Sequence, residues 1–167
     1  LAVQRIDGEW TVSRRGDELF PQQSVSKFWV TLTVMDAIDR GRLRLDQNVV
    51  IRPEDLTLFN QPIAGRVHAQ GSVTHTVREL IDLAITASDN TANDSLLRTV
   101  GGPEAVRAFI ANKGLGAIRF GPGERLLQSR IAAVEWKQSM SSGRNFEAAR
   151  SAVPMETRRN AMNRYLA

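Results

Sequence analysis

The chain of 167 residues contains no cysteine, so neither a disulfide framework nor a cysteine-ligated metal site is available to it. That absence leaves the compartment open, because many exported proteins also lack disulfides. No apolar run approaches the length that crosses a bilayer, and no signal-peptide pattern is present. The chain begins at Leu1 without methionine, so upstream residues are expected. Charged residues make up only 24% of the chain against 42% apolar, which excludes a disordered or fibrous composition and provides for one real core. Repeats, low-complexity segments and linker-like stretches are also missing, so residues 1–167 are expected to belong to one domain. The net charge of +4 comes almost wholly from arginine. Those arginines are scattered, with adjacent pairs at Arg14-Arg15 and Arg158-Arg159, whereas nucleic-acid binding calls for clustering on one face. No nucleic-acid partner is expected. His68 and His75 lie in or near one polar loop without cysteine or paired carboxylates, which predicts two exposed histidines and no metal site. Ser-His-Asp catalysis fits equally poorly.

What is present is a succession of helices behind a short β start. "LAVQRIDGEWTV" has two alternating runs flanking Asp7-Gly8, a strong hairpin signal. After the polar turn "SRRGDELF", a helix is predicted from Ser24 to about Arg40, ended by Gly41. The proline- and glycine-punctuated stretch from Asp46 to Val73 reads as mostly loop with short strand pieces. Thr76 and Glu79 form a T-x-x-E capping box opening a helix that stops near Ala87. A third helix covers about Thr91 to Val100. Gly101-Gly102-Pro103 ends it and starts a fourth, closed by Gly114. From Leu115 to about Arg144 the periodicity is weak and the reading is a long, functional loop. Two helices, near Asn145 to Ala152 and Met155 to Leu166, finish the chain.

Chemistry concentrates at "FPQQSVSKFWV". On the predicted helix Val25, Phe28, Leu32 and Met35 make one stripe, with Trp29, Val30 and Val34 apolar elsewhere, the pattern of a buried helix. Lys27 lies one turn from Ser24, which sets an amine beside a hydroxyl at a helix N-terminus. A desolvated lysine loses proton affinity, and its neutral amine can accept a serine proton. The same residues also fit a simpler arrangement in which Ser24 caps the helix and Lys27 snorkels to water. A second element, Ser88-Asp89-Asn90, sits at a turn between two helices, where such residues are ordinary caps.

The ordered combination of S-x-x-K, an S-D-N turn and a long loop resembles the class A serine β-lactamase family. S-x-x-K with S-D-N and K-T-G is the established signature set of those enzymes and of penicillin-binding proteins. The resemblance covers the hairpin, "QQSVSKFWV", "TVRELIDLAITASDNTAND", "GGPEAVRAFI" and the following loop, in which "RFGPGERLLQ" puts Arg119, Glu124 and Gln128 at the spacing of the family's omega loop. It implies an α+β fold: the mostly helical portion of a β-lactamase/D,D-peptidase-like fold, whose antiparallel sheet is represented here by the N-terminal hairpin alone. It implies acyl transfer, with Ser24 as nucleophile, Lys27 or Glu124 as acylation base, Ser88 as proton relay and Glu124 as activator of the deacylating water. Asn90, Phe59 and Gln128 would contact substrate, with Asp89 bracing the turn. The implied partner is a small-molecule β-lactam or acyl-D-Ala-like substrate, the implied location periplasmic or secreted. No cofactor is suggested, and the oligomeric state is not legible.

Three departures from the family pattern stand out. Gly121 and Pro122 replace charged residues that usually pin the omega loop, so other contacts are expected to hold it. Gln128 replaces an asparagine. No K-[ST]-G occurs in the chain, so it is expected to be the middle portion of a longer protein, with at most two strands of its own. A penicillin-binding D,D-peptidase, a lactam sensor that stays acylated, and an esterase or amidase of the same fold are the rival readings.

Overall fold

The computed structural model describes residues 2–16, 18 and 20–166; two positions of the polar turn expected after the hairpin, 17 and 19, lie outside that description. Strands β1 (Ala2–Gln4) and β2 (Thr11–Ser13) pair antiparallel with Val3 opposite Val12. The Asp7-Gly8 hairpin is therefore present, with the whole 5–10 segment as its connection. A second antiparallel pair, β3 (Asn48–Ile51) with β4 (Val73–Thr76), sets Ile51 opposite Val73. The described residues thus hold four strands in two separate sheets, not two. Strands β3 and β4 meet across a connection too long for a turn signal to announce.

Helix α1 (Ser26–Asp39) follows a 3-10 turn at Gln23–Val25. Its buried face carries Lys27, Val30, Val34 and Ala37, whereas Val25, Phe28 and Met35 are exposed. The helix expected to be buried is buried on one face only: three members of the Val25, Phe28, Leu32 and Met35 stripe are exposed, and the core-facing row includes the lysine. Helix α2 (Ala64–Gln70) interrupts the segment read as loop and brings Val67 into the core. His75 is also corrected: it lies on β4 and is buried, while His68 is exposed on α2. Strand alternation decides the difference, since Val73 and His75 are buried on one side of β4 while Thr74 between them is exposed.

Helix α3 (Val77–Thr86) starts at the expected capping box, in which the Glu79 N–H donates to Thr76 Oγ1 at 3.2 Å and the Thr76 N–H to Glu79 Oε2 at 2.8 Å. Two orphan donors of the first turn are satisfied this way. Helix α4 (Asn90–Thr99) is buried from Asn90 through Leu97. It runs through the centre of the molecule, with Ala92, Leu96 and Leu97 packed against Val30 and Val34 of α1 and Leu80 and Ala84 of α3. Helix α5 (Pro103–Asn112) adds Val106 and Ile110 to that core and is tied to α1 by Lys113 Nζ, 3.0 Å from Asp36 Oδ1.

The stretch from Leu115 to Arg144 is not one loop. It contains α6 (Glu124–Ile131) and a 3-10 turn at Gln138–Ser142. Together with α7 (Arg144–Ala152) it builds a second core of Leu58, Ala132, Met140 and Phe146. Helix α8 (Met155–Leu166) closes the described chain and packs on α6.

Candidate active site

Ser24 sits in the 3-10 turn ahead of α1 and is exposed. The preceding residue, Gln23, has φ of 51°, a left-handed conformation that bends the chain sharply just before the hydroxyl. Lys27, one turn on, is buried, and its Nζ donates to Ser24 Oγ at 3.2 Å. Burial holds this amine below the usual lysine range, against the opposing pull of the Glu124, Asp94 and Asp89 carboxylates. Lys27 therefore does not snorkel.

The S-D-N turn comes from the other side. The Ser88 hydroxyl donates to Ser24 Oγ at 2.9 Å across 64 residues of chain. Ser88 has φ of 53°, and the Asn60 Nδ2 group pins its carbonyl at 3.0 Å and that of Ala87 at 2.6 Å. Asp89 is the brace expected of it: Oδ1 accepts the Ala92 N–H at 2.9 Å as the N-cap of α4, and Oδ2 accepts the Ile63 N–H at 2.8 Å. Asn90 is buried and donates to the Leu58 carbonyl at 2.8 Å. Its amide fixes the segment bearing Phe59, which is half-exposed and stands edge-on to Phe146 with ring centroids 5.7 Å apart.

Glu124 is the first residue of α6. Gln128, one turn later, donates through Nε2 to Glu124 Oε1 at 2.9 Å. The backbone N–H of Glu124 donates to Asp94 Oδ1 at 3.0 Å. Asp94 was not singled out by motif, although it lies four residues after Asn90 in "NTAND" and so on the same face of α4. Burial raises its carboxyl to about 6; the Glu124 N–H bond opposes that rise. Gly123 is needed beside it, since a Cβ there would come within 2.7 to 2.9 Å of three carboxyl atoms of Asp94. Next to Asp94, Asn93 Oδ1 is buried and finds no hydrogen-bond donor among the described residues.

The contacts that hold this loop without charged pins are also visible. The Tyr165 ring of α8 lies so close over Gly121 that any side chain there would overlap its hydroxyl. Arg107 NH1 donates to the Phe120 carbonyl at 2.9 Å, and Arg125 NH1 to the Glu54 carbonyl at 3.0 Å. The fold thus brings Ser24, Lys27 and Ser88 into one hydrogen-bonded group and Glu124 with Gln128 into another, with Asp94 bonded to the backbone of the second. Phe59 joins neither hydrogen-bonded group; its ring contacts Phe146.

The sequence matches the β-lactamase enzyme family over residues 1–161. The chain belongs to that family. It is 38% identical over 133 residues to β-lactamase Toho-2 of Escherichia coli, a match covering 78% of this chain and 45% of that protein. It is 34% identical over 111 residues to β-lactamase VEB-1 of Pseudomonas aeruginosa, covering 66% of this chain and 36% of that one. Among solved structures, the reconstructed class A β-lactamase of the last common ancestor of Gram-negative bacteria superposes with a TM-score of 0.67 at 34% identity, over 76% of this chain and 47% of its own. The α+β reading stands, and these β-lactamase-family alignments span less than half the length of each relative. Among the described residues no helix is long and apolar enough to cross a membrane.

Proposed function

We propose that the protein carrying this chain is a class A-like serine β-lactamase that opens the lactam ring through an acyl-enzyme on Ser24. The observation that carries the reading is the junction at Ser24 Oγ, which receives the Lys27 amine at 3.2 Å and the Ser88 hydroxyl at 2.9 Å. A nucleophile requires one neighbour to take its proton and another to pass a proton to the leaving group. Lys27 in its neutral form accepts the Ser24 proton, directly or with Glu124 acting through a water as the alternative base. Ser24 Oγ then bonds to the lactam carbonyl carbon as the carbon–nitrogen bond breaks, and Ser88 relays a proton to the departing nitrogen. The desolvation of Lys27 supports this role, because it favours the neutral amine.

In the second half, Glu124 takes a proton from water, whose oxygen attacks the ester carbonyl and releases Ser24. The Gln128 amide on Glu124 Oε1 orients that carboxylate. Asn90 and Phe59 line the approach for the acyl side chain. Family membership supports export to the periplasm or outside the cell.

Intact-protein mass spectrometry before and after benzylpenicillin tests the scheme. The unsubstituted protein should yield hydrolysed penicillin with little adduct, and Glu124→Gln should accumulate one penicillin per chain on Ser24. Equal turnover by Glu124→Gln removes Glu124 from deacylation. A lasting adduct on the unsubstituted protein favours the penicillin-binding or sensor reading.

A further inference from the structure

A cavity of about 460 Å³ opens between α6, α7 and α8, with Phe59 and Gln128 among the residues that line it. Gln128 also bonds Glu124, so one lining residue of the cavity belongs to the candidate active site. Its wall includes Phe146, Met155 and Met162, with Met155 two-thirds exposed at the rim. Three arginines, Arg150, Arg158 and Arg159, face it against one carboxylate, Glu147. Arg150 is neutralised by Glu147, its NH1 lying 3.0 Å from Oε2. Arg158 spends its Nε–H on the Val153 carbonyl at 3.1 Å, a bond that fixes the guanidinium without cancelling its charge. No carboxylate among the described residues pairs with Arg158 or Arg159.

Two uncompensated guanidinium groups beside a wall of aromatic and thioether side chains match one kind of guest. A small inorganic anion has no use for the apolar wall, and a neutral apolar group leaves the charge unanswered. We infer that this cavity is a subsite for a carboxylate carried on an apolar or aromatic acyl side chain of the substrate. The inference rests on the lactamase reading for its placement, though the cavity and its charge stand independently. Lactams and acyl-D-Ala peptides can both carry such a side chain.

Benzylpenicillin and its α-carboxy derivative differ by that one carboxylate, so the ratio of their kcat/KM values reads the subsite. Arg159→Gln removes an exposed cation without touching a described hydrogen bond, and Met155→Glu adds a competing anion at the rim. Each should lower the preference for the carboxylated penicillin by roughly tenfold, the scale of one charge-assisted contact. An unchanged ratio in both variants overturns the subsite. The same arginine dependence with a carboxylated acyl-D-Ala peptide, without lactam turnover, supports the subsite and assigns it to peptides. If no substrate of either kind is cleaved or attached to Ser24, the lactamase reading fails, and phenylmalonate, the side chain alone, decides the cavity. Calorimetric binding of phenylmalonate that Arg159→Gln weakens keeps the subsite; no binding to the unsubstituted protein overturns it.

Discussion

Replacing Asp94 by asparagine should stabilise the protein at neutral pH and do little in acid. The carboxyl is almost fully buried, and its pKa rises from 3.8 to about 6 chiefly through desolvation. In the folded state it therefore holds a proton that the unfolded chain has already released between those two values. Stability from this group is fully present below about pH 3.8 and is lost as pH rises through about 6. At ~1.4 kcal/mol per pH unit, ionising Asp94 at pH 7.5 costs about 3 kcal/mol relative to pH 3. Asparagine keeps an oxygen for the Glu124 N–H and carries no charge to desolvate, so Asp94→Asn should recover most of that figure. Urea unfolding of both proteins at pH 4.5 and 7.5 measures it as a difference, in which the other carboxylates cancel. The advantage of the variant should be about 2 to 3 kcal/mol at pH 7.5 and under about 1 kcal/mol at pH 4.5. An advantage independent of pH, or greater in acid, refutes the argument.

Under the proposed acyl-enzyme scheme, the same electrostatics predict the pH dependence of acylation. Acylation should speed up as pH rises through the lowered Lys27 pKa, and Asp94→Asn should move that limb to lower pH, because it removes one of the carboxylates that favour the charged amine; stopped-flow acylation with the limb unmoved or raised would sink the claim. Gly121→Ala should destabilise by about 1–3 kcal/mol through overlap with the Tyr165 hydroxyl, and adding Tyr165→Phe should restore part of the loss in a double-mutant cycle. Leu96→Ala, at a fully buried position of α4, should cost about 2–5 kcal/mol in urea unfolding.

The Ser24–Lys27 pair and the S-D-N turn were legible as candidates because they are written in local spacing, three residues apart or side by side; the Ser88–Ser24 contact across 64 residues was not. The first turn of α3 was legible for the same reason, since a capping box is wholly local. The inward face of α1 was not. Apolar residues occur around its whole circumference, and only tertiary contacts select the row that includes Lys27. Helix α6 was hidden by Gly121, Pro122 and Gly123, which punctuate like a loop yet serve here as approach and N-terminus. Gly123 makes room for Asp94 and Gly121 for Tyr165, residues 29 and 44 positions away, which no local rule anticipates. His75 was misread because strand β4 pairs with a partner far back in the chain.

The left-handed backbone at Ser88 narrows the mutational routes open to this protein. A serine held there costs on the order of 1 kcal/mol or more, and glycine would adopt the same φ freely. Selection for thermal robustness alone would therefore drift toward glycine at this position, and each lineage that took the step would lose the hydroxyl that reaches Ser24. If Ser88 has the proposed proton-relay role, serine persists only while that chemistry is under selection, and descendants released from it should be recognisable by what stands between Ala87 and Asp89.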